Sequence, residues 1–100
     1  MNRSECLQAA EVIVCQNRES IYGAPEDNFE VIARFWSDYL ECHISAGDVA
    51  NMMILLKIAR SATGKFMVDN YADIAGYAAC ACEIGSKGQA VTPADSPIKP

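Results

Sequence analysis

The chain has 100 residues, of which 51% are hydrophobic and 21% charged, and its formal net charge at pH 7 is −5. This length is typical of one domain, and the apolar fraction excludes disorder along the whole chain. The acidic balance argues against binding to duplex nucleic acid, which needs a basic surface. We therefore expect a single acidic domain over residues 1–85.

Membrane and secretory signals are absent from the sequence. The longest apolar run, residues 52–56, is far shorter than the roughly 20 residues of a membrane-spanning helix. The N-terminal segment contains Glu5 and Glu11 and lacks the apolar stretch of a signal peptide. We expect no membrane partner and a cytoplasmic location, where the 5 cysteines are buried free thiols.

Helical periodicity occurs four times, and alternating strand-like runs are absent. The first predicted helix covers residues 3–20, with Asn2 and Glu5 as a capping pair before it and Gly23 closing it. The second covers residues 25–41. Its apolar stripe consists of Phe29, Ile32, Ala33, Trp36, Tyr39 and Leu40.

The third predicted helix begins with a capping box formed by Ser45 and Asp48, and it is apolar on nearly every side. The fourth covers residues 67–84, is rich in alanine and stops at Gly85. Residues 86–100 include three prolines and are expected to form a mobile tail.

These patterns predict an all-α fold, a small four-helix bundle-like domain followed by the tail. A helix that is apolar on nearly every side needs more cover than three short neighbours supply. We therefore expect a homo-oligomer. The third helix and the small-residue face of the fourth would lie partly between subunits.

Two cations interrupt the apolar third helix. Lys57 and Arg60 are three residues apart and point to one side. They either extend to the surface, pair with carboxylates of the bundle, or bind a phosphate group in a partly desolvated site. Spacing alone favours the structural alternatives.

Two groups of carboxylates are candidate metal ligands. Asp69 and Asp73 are four residues apart and share a face of the fourth helix. They either cap the helix and pair with the cations, or hold a divalent ion. Glu26, Asp27 and Glu30 form the second group at the start of the second helix, where they also suit the helix dipole.

Three sequence blocks are distinctive. Residues 22–29 read YGAPEDNF, residues 57–60 read KIAR and residues 73–78 read DIAGYA. Over about residues 18–81 the chain resembles a family of small, uncharacterised phage and prophage proteins. That family is distantly similar to the phage nucleotide-modification-associated domains and to the MazG-like all-α nucleoside-triphosphate pyrophosphatases.

The resemblance implies a phage-encoded helical oligomer that acts on nucleotides in the cytoplasm of an infected bacterium. MazG-like enzymes hold Mg²⁺ between an E-x-x-E pair and an E-x-x-D pair on facing helices. Glu26, Asp27 and Glu30 stand where the first pair is expected. The second pair is missing in that form, because Asp69 and Asp73 are four residues apart.

The first expected function is the binding of a nucleotide, without catalysis and without a cofactor. It would sequester a nucleotide immune signal of the host, such as a cyclic oligonucleotide or an ADP-ribose derivative. Lys57 and Arg60 would bind the phosphate, and Tyr22 or Tyr77 would lie against the base or ribose. The incomplete carboxylate set favours this function.

The alternative is a Mg²⁺-dependent nucleoside-triphosphate pyrophosphohydrolase of MazG-like type. Glu30 and Asp73 would be its catalytic carboxylates, and Glu26 and Asp69 would complete the candidate metal ligands. A third possibility is a structural module whose charges only satisfy one another.

Overall fold

A computed structural model describes residues 1–87 of the chain, and it is helical throughout with no strand among them. The elements follow in chain order: α1 (Arg3–Val12), a π-helical segment (Ile13–Asn17), α2 (Arg18–Tyr22), α3 (Pro25–Leu40), α4 (Ala46–Ser61) and α5 (Val68–Ser86). The first three are continuous, so residues 3–22 form one helical segment. Four helical segments result, as the sequence predicts.

The first helical segment begins at the predicted cap. The Asn2 side chain accepts a hydrogen bond from the Glu5 N–H, and the Glu5 carboxylate accepts one from the Asn2 N–H. The π-helical segment, unexpected from the sequence, is a stretch of wider turns. The segment ends at Gly23, whose φ of 82° is accessible to glycine without steric cost.

Helix α3 begins with Pro25 at its first turn, where no intrahelical N–H bond is lost. Phe29 and Ala33 of the predicted stripe are buried. Tyr39 and Leu40 are exposed, so that part of the prediction is wrong, because the stripe extends beyond the helices that cover it. Beyond the helix, the Ile44 N–H donates to Ser37 Oγ over 2.9 Å and ties the following loop back to α3.

Helix α4 begins at the predicted capping box. Ser45 Oγ accepts from the Asp48 N–H over 3.0 Å, and the Asp48 carboxylate accepts from the Ser45 N–H. The hydrogen bond from the Ser45 N–H is the largest of the causes that lower the pKa of Asp48, because it favours the charged carboxylate. One face of α4 then packs on α3 and, more extensively, on α5.

Helix α5 extends one residue beyond Gly85, where the sequence predicted its stop. Its small residues Ala72 and Gly76 are buried within the single chain. A Cβ at Gly76 would lie 2.7 Å from Cγ1 of Val14, which belongs to the π-helical segment. The small-residue face of α5 therefore serves a close contact inside the chain at these positions.

The core consists mostly of small side chains, and Val49 is the largest that is fully buried. Trp36, which the sequence placed on the core stripe, is half-buried against this core. Many large apolar side chains stay exposed instead, among them Leu55 of α4 at 63%. Among the described residues, no helix is both long and apolar enough to span a membrane.

Two further expectations differ from the structure or lie beyond it. All 5 cysteines are free, but only Cys80 is fully buried. Apart from its first two residues, the predicted tail lies outside the described residues.

We expect Gly76→Ala to destabilise the fold by about 1–3 kcal/mol, because the β-branched Val14 cannot move easily away from the added methyl group. The midpoint of urea denaturation measures this effect. Gly85→Ala is the matched control on the same helix, since nothing lies within 4 Å of its Cβ position. That substitution should stabilise the helix by about 0.5–1 kcal/mol. Equal effects of the two substitutions would contradict the close contact.

Candidate functional site: an aromatic pocket beside α5

A pocket of about 270 Å³ lies between the first helical segment, α3 and α5. Its lining is mainly apolar, with a small number of polar groups among apolar and aromatic side chains. This combination is characteristic of small-molecule sites. The lining residues are Ile13, Val14, Arg18, Glu19, Tyr22, Gly23, Pro25, Asn28, Phe29, Ile32, Asp73, Tyr77 and Cys80.

Aromatic rings form a large part of this lining. The ring centroids of Phe29 and Tyr77 are 6.1 Å apart, with 34° between the ring planes. This distance is typical of interacting aromatic pairs, and it joins α3 to α5 at the pocket. Tyr22 is 60% exposed and ends the first helical segment beside the pocket. The two tyrosines that the sequence proposed as base contacts thus lie in one pocket.

Asp73 of α5 is also a residue of this wall. Its Oδ2 lies 2.8 Å from Nζ of Lys57 on α4, and both side chains are only 13% exposed. The pairing of Asp73 with a cation of α4 is one of the alternatives that the sequence left open. Lys57 does not line the pocket, so its ammonium group meets the carboxylate from the α4 side.

Arg18 and Glu19 are two exposed polar residues of the pocket lining, and Asn28 is a half-buried one. The Arg18 guanidinium makes no ion pair or hydrogen bond with any residue in the range 1–87. Cys80 also lines the pocket, and burial raises the pKa of its thiol. The thiol therefore contributes a neutral, weakly polar surface.

The π-helical segment contributes Ile13 and Val14 to the wall. Such segments interrupt the α-helical register and often occur at functional sites. Here the segment carries Val14 against Gly76 and precedes Arg18 and Tyr22 at the pocket. The change of register and the pocket therefore coincide in the structure.

The structure does not bring the other candidate site residues to this pocket. Arg60 is exposed near the end of α4, Glu30 and Asp69 are exposed on α3 and α5, and none of them lines the pocket. The backbone of Glu26 lies in the first turn of α3, but its side chain is not among those that the structure describes. Among the described side chains, no group of three or more His, Cys, Asp or Glu is arranged to hold a metal ion.

Sequence reasoning missed several lining residues. Arg18 was noted only as the start of the region of resemblance, and Phe29 only as part of an apolar stripe. Asn28 and Phe29 nevertheless belong to the distinctive block YGAPEDNF, together with Tyr22, Gly23 and Pro25. This block, which joins the end of one helix to the start of the next through a turn, was therefore the feature of the sequence that could have indicated the pocket.

Comparison with known proteins identifies the family. A profile described as a domain of unknown function (DUF6378) matches residues 5–85. The chain is 46% identical over 74 residues to the Gene 55 protein of Mycobacterium phage D29, and 44% identical over 73 residues to the Gene 55 protein of Mycobacterium phage L5. These alignments cover 74% and 72% of this chain but 49% and 47% of the relatives.

The chain thus spans about half the length of these curated relatives. No solved structure matches it significantly. Since the family profile covers most of the chain and both relatives are phage proteins, this is a phage protein that belongs to the DUF6378 family.

Proposed function

We propose that this protein binds a nucleotide without transforming it, with the base or ribose in the aromatic pocket beside α5. The observation that carries the proposal is the combination of Tyr22, Phe29 and Tyr77 with polar groups in one pocket. Planar bases stack on aromatic side chains, and each such contact is worth about 1–3 kcal/mol in nucleic-acid complexes. Carboxylate and amide groups in the wall supply hydrogen bonds for orientation.

The size of the pocket limits the ligand. Its volume of about 270 Å³ is near the lower end of the usual range for small-molecule sites, roughly 300–1,000 Å³. One nucleoside unit matches this space better than a whole cyclic oligonucleotide does. A larger signal molecule would place one unit in the pocket of each of several copies of the chain.

Arg18 is the pocket residue best suited to a phosphate group. Its guanidinium has no partner among the described residues, whereas Lys57 is engaged by Asp73. An arginine offers a planar pair of donors that matches phosphate oxygens. We therefore place the phosphate near Arg18. The sequence suggested Lys57 and Arg60 instead, and a substitution of Arg60 tests that alternative below.

The biological role that follows is sequestration of a nucleotide signal during phage infection. The relatives are phage proteins, and a pocket whose described side chains form no arranged set of metal ligands suits retention of a ligand better than hydrolysis. A phage gains from such a protein when the host uses nucleotides as immune signals. The names of the relatives assign no activity, so this proposed role rests on the pocket.

Assembly into a homo-oligomer is part of the proposal. The exposed residues of α4 between positions 51 and 59 carry no charge. Asn51 is the one polar residue among them. The others are apolar: Met52, Leu55, Leu56, Ile58 and Ala59. An uncharged apolar helix face is complementary to a second copy of itself, as an interface with two-fold symmetry requires. It also provides the cover that the small core lacks.

We expect Arg18→Ala to weaken binding of guanosine or adenosine 5′-monophosphate by about 1.5–3 kcal/mol, since a hydrogen bond to a charged group is lost. Binding of the corresponding nucleosides should change little, because they carry no phosphate. Isothermal titration calorimetry measures both. Arg34→Ala is the control, because Arg34 is an exposed arginine of α3 that does not line the pocket.

Arg60→Ala belongs in the same series. If it weakens binding of the monophosphate and Arg18→Ala does not, the phosphate lies at the end of α4 and its placement beside Arg18 is wrong. If neither nucleoside nor monophosphate binds to the unaltered protein, the proposal of a nucleotide-binding pocket fails.

We expect light scattering to give a mass above the 10.8 kDa of one chain at micromolar concentration. Leu55→Glu should shift the protein toward the monomer, because it places a charge in the proposed interface. Leu7→Glu is the matched control on α1, since Leu7 and Leu55 are both 63% exposed. A monomer at all accessible concentrations would contradict the assembly.

We expect no release of pyrophosphate when the protein is incubated with Mg²⁺ or Mn²⁺ and the common nucleoside triphosphates. Among the described side chains, the carboxylates of the lining residues belong to Glu19 and Asp73, and the latter is paired with Lys57. Ion chromatography of the products measures turnover. Formation of monophosphate that is lost in Asp73→Asn and Glu30→Gln would establish the pyrophosphohydrolase instead.

A further inference from the structure

The partly buried ion pair gives the pocket lining a polar residue with unused binding capacity. An ionised carboxylate has two oxygens and accepts up to about four hydrogen bonds. Within residues 1–87, Lys57 is the one partner of the Asp73 side chain, and it contacts Oδ2. The remaining acceptor positions of Asp73 therefore lack a protein donor in the described part of the chain.

The position of Asp73 in the pocket wall indicates what its unused acceptor positions could bind. The Asp73 side chain is only 13% exposed, and it shares the pocket wall with Phe29, Tyr77 and Cys80. A charge that is largely removed from water needs partners to offset its desolvation. Lys57 compensates the charge from the α4 side, and Asp73 is also a lining residue of the pocket, so a ligand there would use the remaining acceptor positions.

We propose, building on the proposed function, that Asp73 selects the ligand by accepting two hydrogen bonds from neighbouring donor groups of a nucleoside. Two parts of nucleosides have this chemistry. The Watson–Crick edge of guanine presents N1–H beside the N2 amino group, and ribose presents its 2′ and 3′ hydroxyl groups. Lys57 acts as a positioning residue, because it holds the carboxylate and does not line the pocket.

If the donor pair is the guanine edge, the same chemistry disfavours other bases. Adenine presents one amino group next to the acceptor N1, and thymine presents N3–H between two carbonyl oxygens. Both place an acceptor opposite the carboxylate, where the two lone pairs repel each other. A site that is built around a hydrogen bond rejects ligands that leave a buried group unpaired more strongly than an apolar pocket rejects a change in shape.

Titration calorimetry with four nucleosides tests the proposal and distinguishes the two sources of the donor pair. If Asp73 binds the guanine edge, guanosine and 2′,3′-dideoxyguanosine should bind alike, and adenosine and 2′,3′-dideoxyadenosine should bind about ten- to a hundredfold more weakly. If Asp73 binds the ribose diol, guanosine and adenosine should bind alike, and both dideoxynucleosides should lose affinity by that factor.

Asp73→Asn should abolish whichever preference is observed, because an amide replaces one acceptor oxygen by a donor. Asp69→Asn is the matched control, since Asp69 is an exposed aspartate one turn earlier on α5. Because Asp73→Asn leaves the Lys57 ammonium without its partner, the double variant Lys57→Met/Asp73→Asn provides a second test with a neutral pair. Circular dichroism checks that each variant is folded.

The outcomes distinguish failure of the selecting role of Asp73 from failure of nucleotide binding by the pocket. If all four nucleosides bind equally, or if a preference persists in both Asp73 variants, the selecting role of Asp73 is overturned while the nucleotide-binding pocket stands. If none of the four binds to the unaltered protein, both the selecting role and the proposed function are overturned.

Discussion

The close approach of α5 to the π-helical segment determines where the other parts of this molecule lie. Gly76 has no side chain, so Val14 packs directly against the α5 backbone at a distance that a methyl group would not allow. On the same face of α5, Asp73 and Tyr77 lie beside this contact, and Arg18 follows it in the first helical segment. The pocket is formed by these neighbours, which one residue without a side chain brings together.

The ion pair of Lys57 with Asp73 adds the chemistry that this packing lacks. Helices α4 and α5 form the most extensive contact of the fold, and most of what they bury is apolar and small. A charge pair that is largely removed from water contributes little net stability compared with apolar side chains of similar size. We interpret its place beside an aromatic pocket as part of the proposed ligand site.

The uneven distribution of apolar side chains connects the pocket to assembly. The core is built largely from alanine, Val49 and Cys80, while larger residues such as Leu55 and Phe35 face outward. Small core residues let helices approach closely, but they remove little apolar surface from water. A second copy that covers α4 would supply the missing burial. It would also place a second pocket in the same particle, as sequestration of a ligand with several nucleoside units requires.

The sequence alone determined the local structure of this protein. Helix starts at Asn2, Pro25 and Ser45 were predictable because capping depends on residues within one turn of each other, and the apolar stripe of α3 was predictable as far as Trp36. The candidate site residues Tyr22, Tyr77 and Asp73 all belong to distinctive blocks of the sequence, although their common pocket was not foreseen.

Only the tertiary structure decided which of these residues meet. Lys57 and Arg60 have similar positions in the sequence pattern, yet one is held by Asp73 and the other is exposed, because α5 covers α4 at Lys57 and not at its end. The π-helical segment and the position of Arg18 in the pocket lining could not be predicted for the same reason. Both depend on the contact between Val14 and Gly76, residues that lie far apart in the chain, and periodicity within a single helix carries no information about such a contact.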